Sequence, residues 1–127
     1  MDLGLKGLRA IVTGGTRGIG LAIINRLVKE GAEVAFCARG EQGVKTQVAA
    51  LNQNGSKVHG SVVDVADGEA LMTWVNEVAK LMGGVDILIP NVSALGGTTG
   101  DEGWRLGFDI DIMGTVHAVD AALPFLE

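Results

Sequence analysis

The sequence contains no tyrosine, so no phenol within it can act as an acid or base. Its one cysteine, Cys37, excludes an internal disulfide, and the absence of any C-x-x-C removes the usual thiolate metal motif. Cys37 is expected to be a small buried hydrophobe. The two histidines, His59 and His117, stand at no ligand spacing to each other or to the cysteine, so no metal site is expected. His117 reads as a surface or core residue. Asp109 and Asp111 lie two apart on a helical pattern and point in different directions, which argues against a paired-carboxylate centre. Basic tracts are missing too: 10 Lys+Arg stand against 15 Asp+Glu, a formal net charge of −5. This argues against a nucleic-acid face built on phosphate contacts and against a polybasic membrane anchor. No apolar run reaches the length of a membrane span. The start, Met1-Asp2-Leu3-Gly4-Leu5-Lys6, lacks the basic opening and apolar core of a signal peptide. A reducing, cytoplasmic setting is therefore expected.

What is present is apolar and glycine-rich. The 127 residues fit one domain, spanning 1–127, and a hydrophobic fraction of 47% suffices for a core. Leu8 to Val12 reads as a buried strand. Ile19 to Glu30 reads as a helix with Ile19, Ala22, Ile23 and Leu27 on its apolar face and Gly31 as its stop. Glu33 to Ala38 is a second strand. Glu41 to Asn54 is a second helix, with Val44, Val48 and Leu51 on one face. Lys57 to Val63 is a third strand, weakened by Gly60. Asp67 caps a third helix to about Met82, with Leu71, Trp74, Val75, Val78 and Leu81 at helical spacing. Asp86 to Pro90 is a fourth strand. After a loop rich in Gly, Ser and Thr, a capping-box pair, Thr99 and Glu102, opens a long helix. It should end near Leu123, before Pro124, and carries Trp104, Phe108, Ile112 and Val116 on one face. The alternation implies an α/β, Rossmann-type doubly wound parallel sheet of four strands in the order 3-2-1-4, with helices on both faces.

Thr13 to Gly20 lies at the first strand-to-helix junction. A helix start leaves N–H groups unpaired and favours negative charge, and glycines let the backbone approach a pyrophosphate. The spacing is G-x-x-x-G-x-G (Gly14, Gly18, Gly20). Such a stretch holds a nucleotide or makes a purely structural tight turn; its place at the first βα junction favours the nucleotide. Arg39 follows the second strand, where the adenosine ribose of a dinucleotide would lie. With Arg17 it suits a 2′-phosphate, which favours NADP over NAD; the plainer reading is two solvated surface charges. Asp64-Val65 follows the third strand. The aspartate either accepts from an adenine amino group or serves as a turn residue. Asn91 ends the fourth strand beside the crevice and either holds ribose or ties strands together. Ser93 has no histidine pattern to make it a nucleophile.

Together these residues resemble the N-terminal half of a short-chain dehydrogenase/reductase. Thr13-Gly14-x-x-x-Gly18-x-Gly20 matches that family's cofactor motif, Arg17 and Arg39 resemble its NADP-preferring branch, and Asp64-Val65 matches its adenine-binding pair. Pro90-Asn91-Val92-Ser93 keeps one asparagine of the family's Asn-Asn-Ala-Gly. Trp104 to Thr115 resembles the helix carrying the catalytic asparagine, but Asp111 stands at that position, so its catalytic role is in doubt. The resemblance implies cofactor contacts from Gly14, Thr16, Arg17, Gly18, Ile19, Gly20, Arg39, Asp64, Val65 and Asn91. It implies NADP as cofactor and, in the full-length protein, a small carbonyl or alcohol substrate. The family's serine and Tyr-x-x-x-Lys fall beyond Glu127. This polypeptide alone is therefore expected to be inactive, whether it is a truncated dehydrogenase or a stand-alone binding or assembly module. Homo-oligomerisation is expected, either along the fourth strand, left as an apolar edge, or through the last helix.

Overall fold

The computed structural model describes residues 2–15, 18–52, 55–92 and 100–126. Thr16, Arg17, Ser93 and Thr99, and with Thr99 the capping-box pair, lie outside the described residues, as do the last two residues expected of the second helix.

Four parallel strands form one sheet in the order β3-β2-β1-β4: β1 Arg9–Thr13, β2 Glu33–Ala38, β3 Val58–Val62 and β4 Ile87–Ile89. The expected order holds. In β1 and β2 the side chains alternate between two cores, as the strand period of two requires. Ala10, Val12, Val34 and Phe36 face helices α1 (Gly18–Lys29) and α2 (Glu41–Leu51). Ile11, Ala35 and Cys37 face α3 (Gly68–Met82) and α5 (Met113–Leu126). Asp67 caps α3 by accepting from the Ala70 N–H at 3.1 Å, and Gly83, at φ 82°, closes it in a left-handed cap.

Several details depart from the sequence reading. On α1 the buried residues are Gly20, Ile24 and Leu27, while Ile19 is 73% exposed. The helix is rotated because Gly20 makes the closest approach to the turn after β1, and this turns Ile24 inward. On α3, Met82 and Ala79 are buried and Leu81 is exposed. Gly60 does not interrupt β3: it pairs with Phe36, and a Cβ there would press on Val48, Phe36 and Val44, so the glycine makes room for α2. The last helix is three segments: α4 (Gly100–Gly107), a π-helical turn (Phe108–Ile112) and α5, which continues past Pro124 to Leu126. A proline in a final turn removes one backbone bond and costs less than in a helix interior. Trp104, Phe108, Ile112 and Val116 are all exposed, Trp104 at 82%. The small residues Gly114, Ala118 and Ala122 take the buried side, because only they allow the close packing against α3.

Far from the crevice, Arg9 clamps the opposite end of the sheet. Its Nε donates to Asp86 Oδ2 at 3.0 Å and its guanidinium donates to the Gly83 carbonyl at 2.7 Å. The Arg9 N–H and the Asp86 N–H complete the join, bonding Asp86 Oδ2 and the Arg9 carbonyl.

Candidate dinucleotide site

The turn after β1 is held from two sides. The N–H groups of Gly14 and Gly15 both donate to the Cys37 carbonyl at the end of β2, at 2.9 and 3.2 Å. On the other side the Asn91 N–H donates to Thr13 Oγ1, and Asn91 Nδ2 donates to the Gly14 carbonyl, each at 3.0 Å. The strand tie, one of the two roles open to Asn91, is thus present. Thr13, 3% exposed, is the only buried polar side chain among the described residues. Its hydroxyl is satisfied by that bond, as a buried hydroxyl must be.

The glycines divide by what surrounds them. A Cβ on Gly20 would overlap the Gly14 carbonyl oxygen and stand 2.5 Å from Asn91 Nδ2. One on Gly15 would meet Ile24 and Phe36 at 2.5 and 2.7 Å. These two, with Gly14 at φ +76°, are required by the protein's own packing. Gly18 differs: φ is +63°, yet a Cβ there meets nothing within 4 Å. It lies at the start of α1, whose first turn carries no acidic residue. A helix start without a competing carboxylate, beside a glycine facing open space, fits a phosphate group.

Arg39 is exposed one residue after β2. Asp64 Oδ1 accepts from the Ala66 N–H at 3.0 Å and its carbonyl accepts from the Asp67 N–H at 2.9 Å, so Asp64 does shape the turn that leads into α3. Val65 is buried and packs at Gly114, where a Cβ would lie 3.7 Å from Val65 Cγ2. Ile19 is exposed at the mouth of the turn. Asp111 lies in the π turn, exposed, and its carbonyl accepts from Thr115 Oγ1 at 2.9 Å. The Met113 N–H reaches back to the Phe108 carbonyl, the widened bond pattern that such turns carry, often at functional positions.

Thr13, Val65, Pro90, Val92, Ile110, Gly114 and Thr115 meet in a tight seam with no room for a water molecule, which brings together the ends of β1 and β4, the turn after β3 and the π turn. This is the switch point of the strand order, where open α/β sheets bind ligands. Sequence reasoning placed Thr13 in the motif but missed its bond to Asn91, and it missed Gly15 and Gly114 as packing positions. A lone polar residue closing an apolar strand, and a glycine within a helix, were the available signals. Among the described residues no group of three His, Cys, Asp or Glu could hold a metal, and no helix is long and apolar enough to cross a membrane.

The model of the short chain dehydrogenase family matches residues 9–127. The chain belongs to the short-chain dehydrogenase family. Isoepoxydon dehydrogenase of Penicillium expansum is 36% identical over 130 residues, covering 100% of this chain and 50% of that protein. Dehydrogenase/reductase SDR family member 4 of Bos taurus is 39% identical over 120 residues, covering 91% and 43%. Among solved structures, the L-sorbose reductase of Gluconobacter frateurii, complexed with NADPH and L-sorbose, superimposes with a TM-score of 0.89 at 31% identity. That match covers 99% of this chain and 50% of that one. A short-chain dehydrogenase/reductase of Serratia marcescens superimposes at 0.90 with 32% identity, covering 97% and 52%. This short-chain dehydrogenase chain thus spans about half the length of the relatives it matches.

Proposed function

We propose that the chain is the cofactor-binding part, one domain over 1–127, of an NADP-dependent oxidoreductase that moves hydride between nicotinamide and a small carbonyl or alcohol. The observation that carries this reading is Gly18: a left-handed glycine at a helix start, facing open space, in a turn locked by Gly14, Gly20 and Asn91. Gly18, Ile19 and Thr16 would hold the pyrophosphate, Arg17 and Arg39 the 2′-phosphate, and Asp64 with the Val65 backbone the adenine. Asn91 would act by fixing the turn. The NADPH bound to the sorbose reductase supports the choice of cofactor. The cofactor supplies the hydride; the protein residues bind and orient it.

The same reading makes this polypeptide alone inactive. No tyrosine is present to exchange a proton with the substrate oxygen. General acid–base catalysis contributes about 10²–10⁴-fold, so its loss lowers turnover by at least that factor. Asp111, at the position of the family's asparagine, retains an acceptor but not the amide donor. A reducing cytoplasm suits the single buried thiol.

Titration with 2′,5′-ADP against 5′-AMP tests the assignment. 2′,5′-ADP is expected to bind more tightly, with the difference abolished in Arg39→Ala. Equal affinities in the parent chain would overturn the role of the arginines. Turnover with NADPH and a panel of ketones would overturn the expected inactivity.

A stand-alone assembly module is the second reading, favoured by the exposed Trp104, Phe108, Ile112 and Val116. An apolar row of this kind supports self-association. Light scattering should find an oligomer that Phe108→Lys with Ile112→Lys returns to monomer; a monomeric parent chain refutes it.

A further inference from the structure

β3 is an outer strand of the sheet, and its two edges differ. His59 and Ser61 direct their backbone groups to β2, as the register Ala35↔His59 and Cys37↔Ser61, the bond from the Val34 N–H to the Lys57 carbonyl and the bond from the Val63 N–H to the Ala38 carbonyl require. Val58, Gly60 and Val62 direct theirs outward. At Val58 the outward edge is closed from within. Asn52 Oδ1 accepts from the Val58 N–H and Asn52 Nδ2 donates to the Val58 carbonyl, both at 3.2 Å. The side-chain amide thus stands in for one residue of a neighbouring strand. At Gly60 and Val62 no described residue takes that part.

The open portion borders a groove. Val62, 52% exposed, forms one wall, and α3 forms the other with Asp67, Glu69, Thr73, Trp74 and Glu77. Its volume is about 470 Å³, in the range of ligand clefts. Three of these residues are carboxylates, and no lysine or arginine lines the groove among the described residues. Trp74 is 4% exposed, and its Nε1–H, itself buried, has no acceptor among the described residues. The groove shares no residue with the dinucleotide site.

We propose that this groove and the open half of the β3 edge dock an extended, basic peptide segment. The peptide backbone pairs with Gly60 and Val62 by strand addition, and its cationic side chains meet Glu69 and Glu77. Asn52 sets the register, because pairing cannot begin at Val58. The outward backbone groups favour a peptide over a small polycation, which has no backbone to ladder. The carboxylates favour a basic segment over a second copy of this acidic chain.

The test uses a capped hexapeptide of alternating lysine and valine, added to the ¹⁵N-labelled chain. A Glu-for-Lys version, a version with alternate backbone nitrogens methylated, and spermine are the controls. The Lys-Val peptide should shift the Gly60 and Val62 amides. In Trp104→Phe, where Trp74 is the sole tryptophan, it should change the emission. The methylated peptide should bind at least tenfold more weakly, the Glu version should not bind, and Glu69→Gln with Glu77→Gln should weaken binding at least threefold. Absence of binding, shifts confined to other residues, or equal affinity for the methylated peptide or spermine would each overturn the proposal.

Discussion

Asn91 Nδ2 donates to the carbonyl oxygen of Gly14 at 3.0 Å, joining residues 77 apart in sequence. The bond passes where a Cβ on Gly20 would stand, so Gly14, Gly20 and Asn91 exclude change at one another. Asn91→Ala leaves the Gly14 carbonyl without its donor and should cost about 1–3 kcal/mol. Asn91→Asp places a carboxylate against that carbonyl and should cost more at neutral pH. Urea denaturation of both variants measures the difference, and unchanged midpoints would show the bond to be idle.

Gly18 and Gly20 should respond in opposite ways. Gly18→Ala meets no neighbouring atom, and its left-handed φ of +63° costs roughly 1–2 kcal/mol. The fold should survive while 2′,5′-ADP binding falls sharply. Gly20→Ala forces a methyl onto the Gly14 carbonyl and should destabilise the chain at or beyond the ~1–3 kcal/mol of core overpacking. Circular dichroism melts and ligand titration on both variants separate the two roles. Equal loss of stability would contradict the division.

The Arg9–Asp86 clamp predicts an acid limb to stability. The Asp86 carboxyl is held below its ordinary range, first by the hydrogen bond from the Arg9 side chain and next by that from the Arg9 N–H. A depressed folded value means that the unfolded chain binds the proton more readily. The stabilisation is therefore complete above the unfolded value of about 3.9 and is lost as pH falls through the folded value. Asp86→Asn should lower stability at pH 7 and flatten the decline below about pH 4. Parallel acid limbs in the two proteins would place the titration elsewhere.

Burial pushes the Cys37 thiol up to about 12, and the hydrogen bond with the Gly14 backbone offsets this only in part. The thiolate is the reactive form, so iodoacetamide at pH 8 should leave the folded chain unmodified and label it rapidly in urea. The unfolded thiol ionises near 8.5, so this group also lowers stability as pH rises above that value. Labelling of the native chain at the unfolded rate would refute the burial.

Much of the fold was legible in local pattern. The fully apolar residues of β1 and β2, the i, i+3, i+4 spacing on α3 and the Asp67 cap identify elements because their periods and caps are local properties. The cofactor stretch was legible for the same reason, since Gly14, Gly18 and Gly20 share one turn. Which face of a helix turns inward was not. Ile19 and Leu81 fit an apolar stripe, yet Gly20 and Met82 are buried in their place. That choice depends on how closely two backbones approach, and the sequence of one helix does not contain the other.

The same division separates what each level decided. Sequence alone determined the element types and their alternation, and with the handedness of crossovers the strand order, because periodicity, glycine placement and chain length act within short windows. It also determined that no phenol is available to these residues. Tertiary structure decided that Asn91 ties β4 to the turn after β1, and that Gly20 is a packing glycine while Gly18 faces open space. It also turned Trp104, Phe108, Ile112 and Val116 outward while Gly114, Ala118 and Ala122 turned in. Each of these is a question of separation between groups distant in sequence. Only the assembled sheet, which brings Thr13, Gly14 and Asn91 within 3.0 Å bonds, answers it.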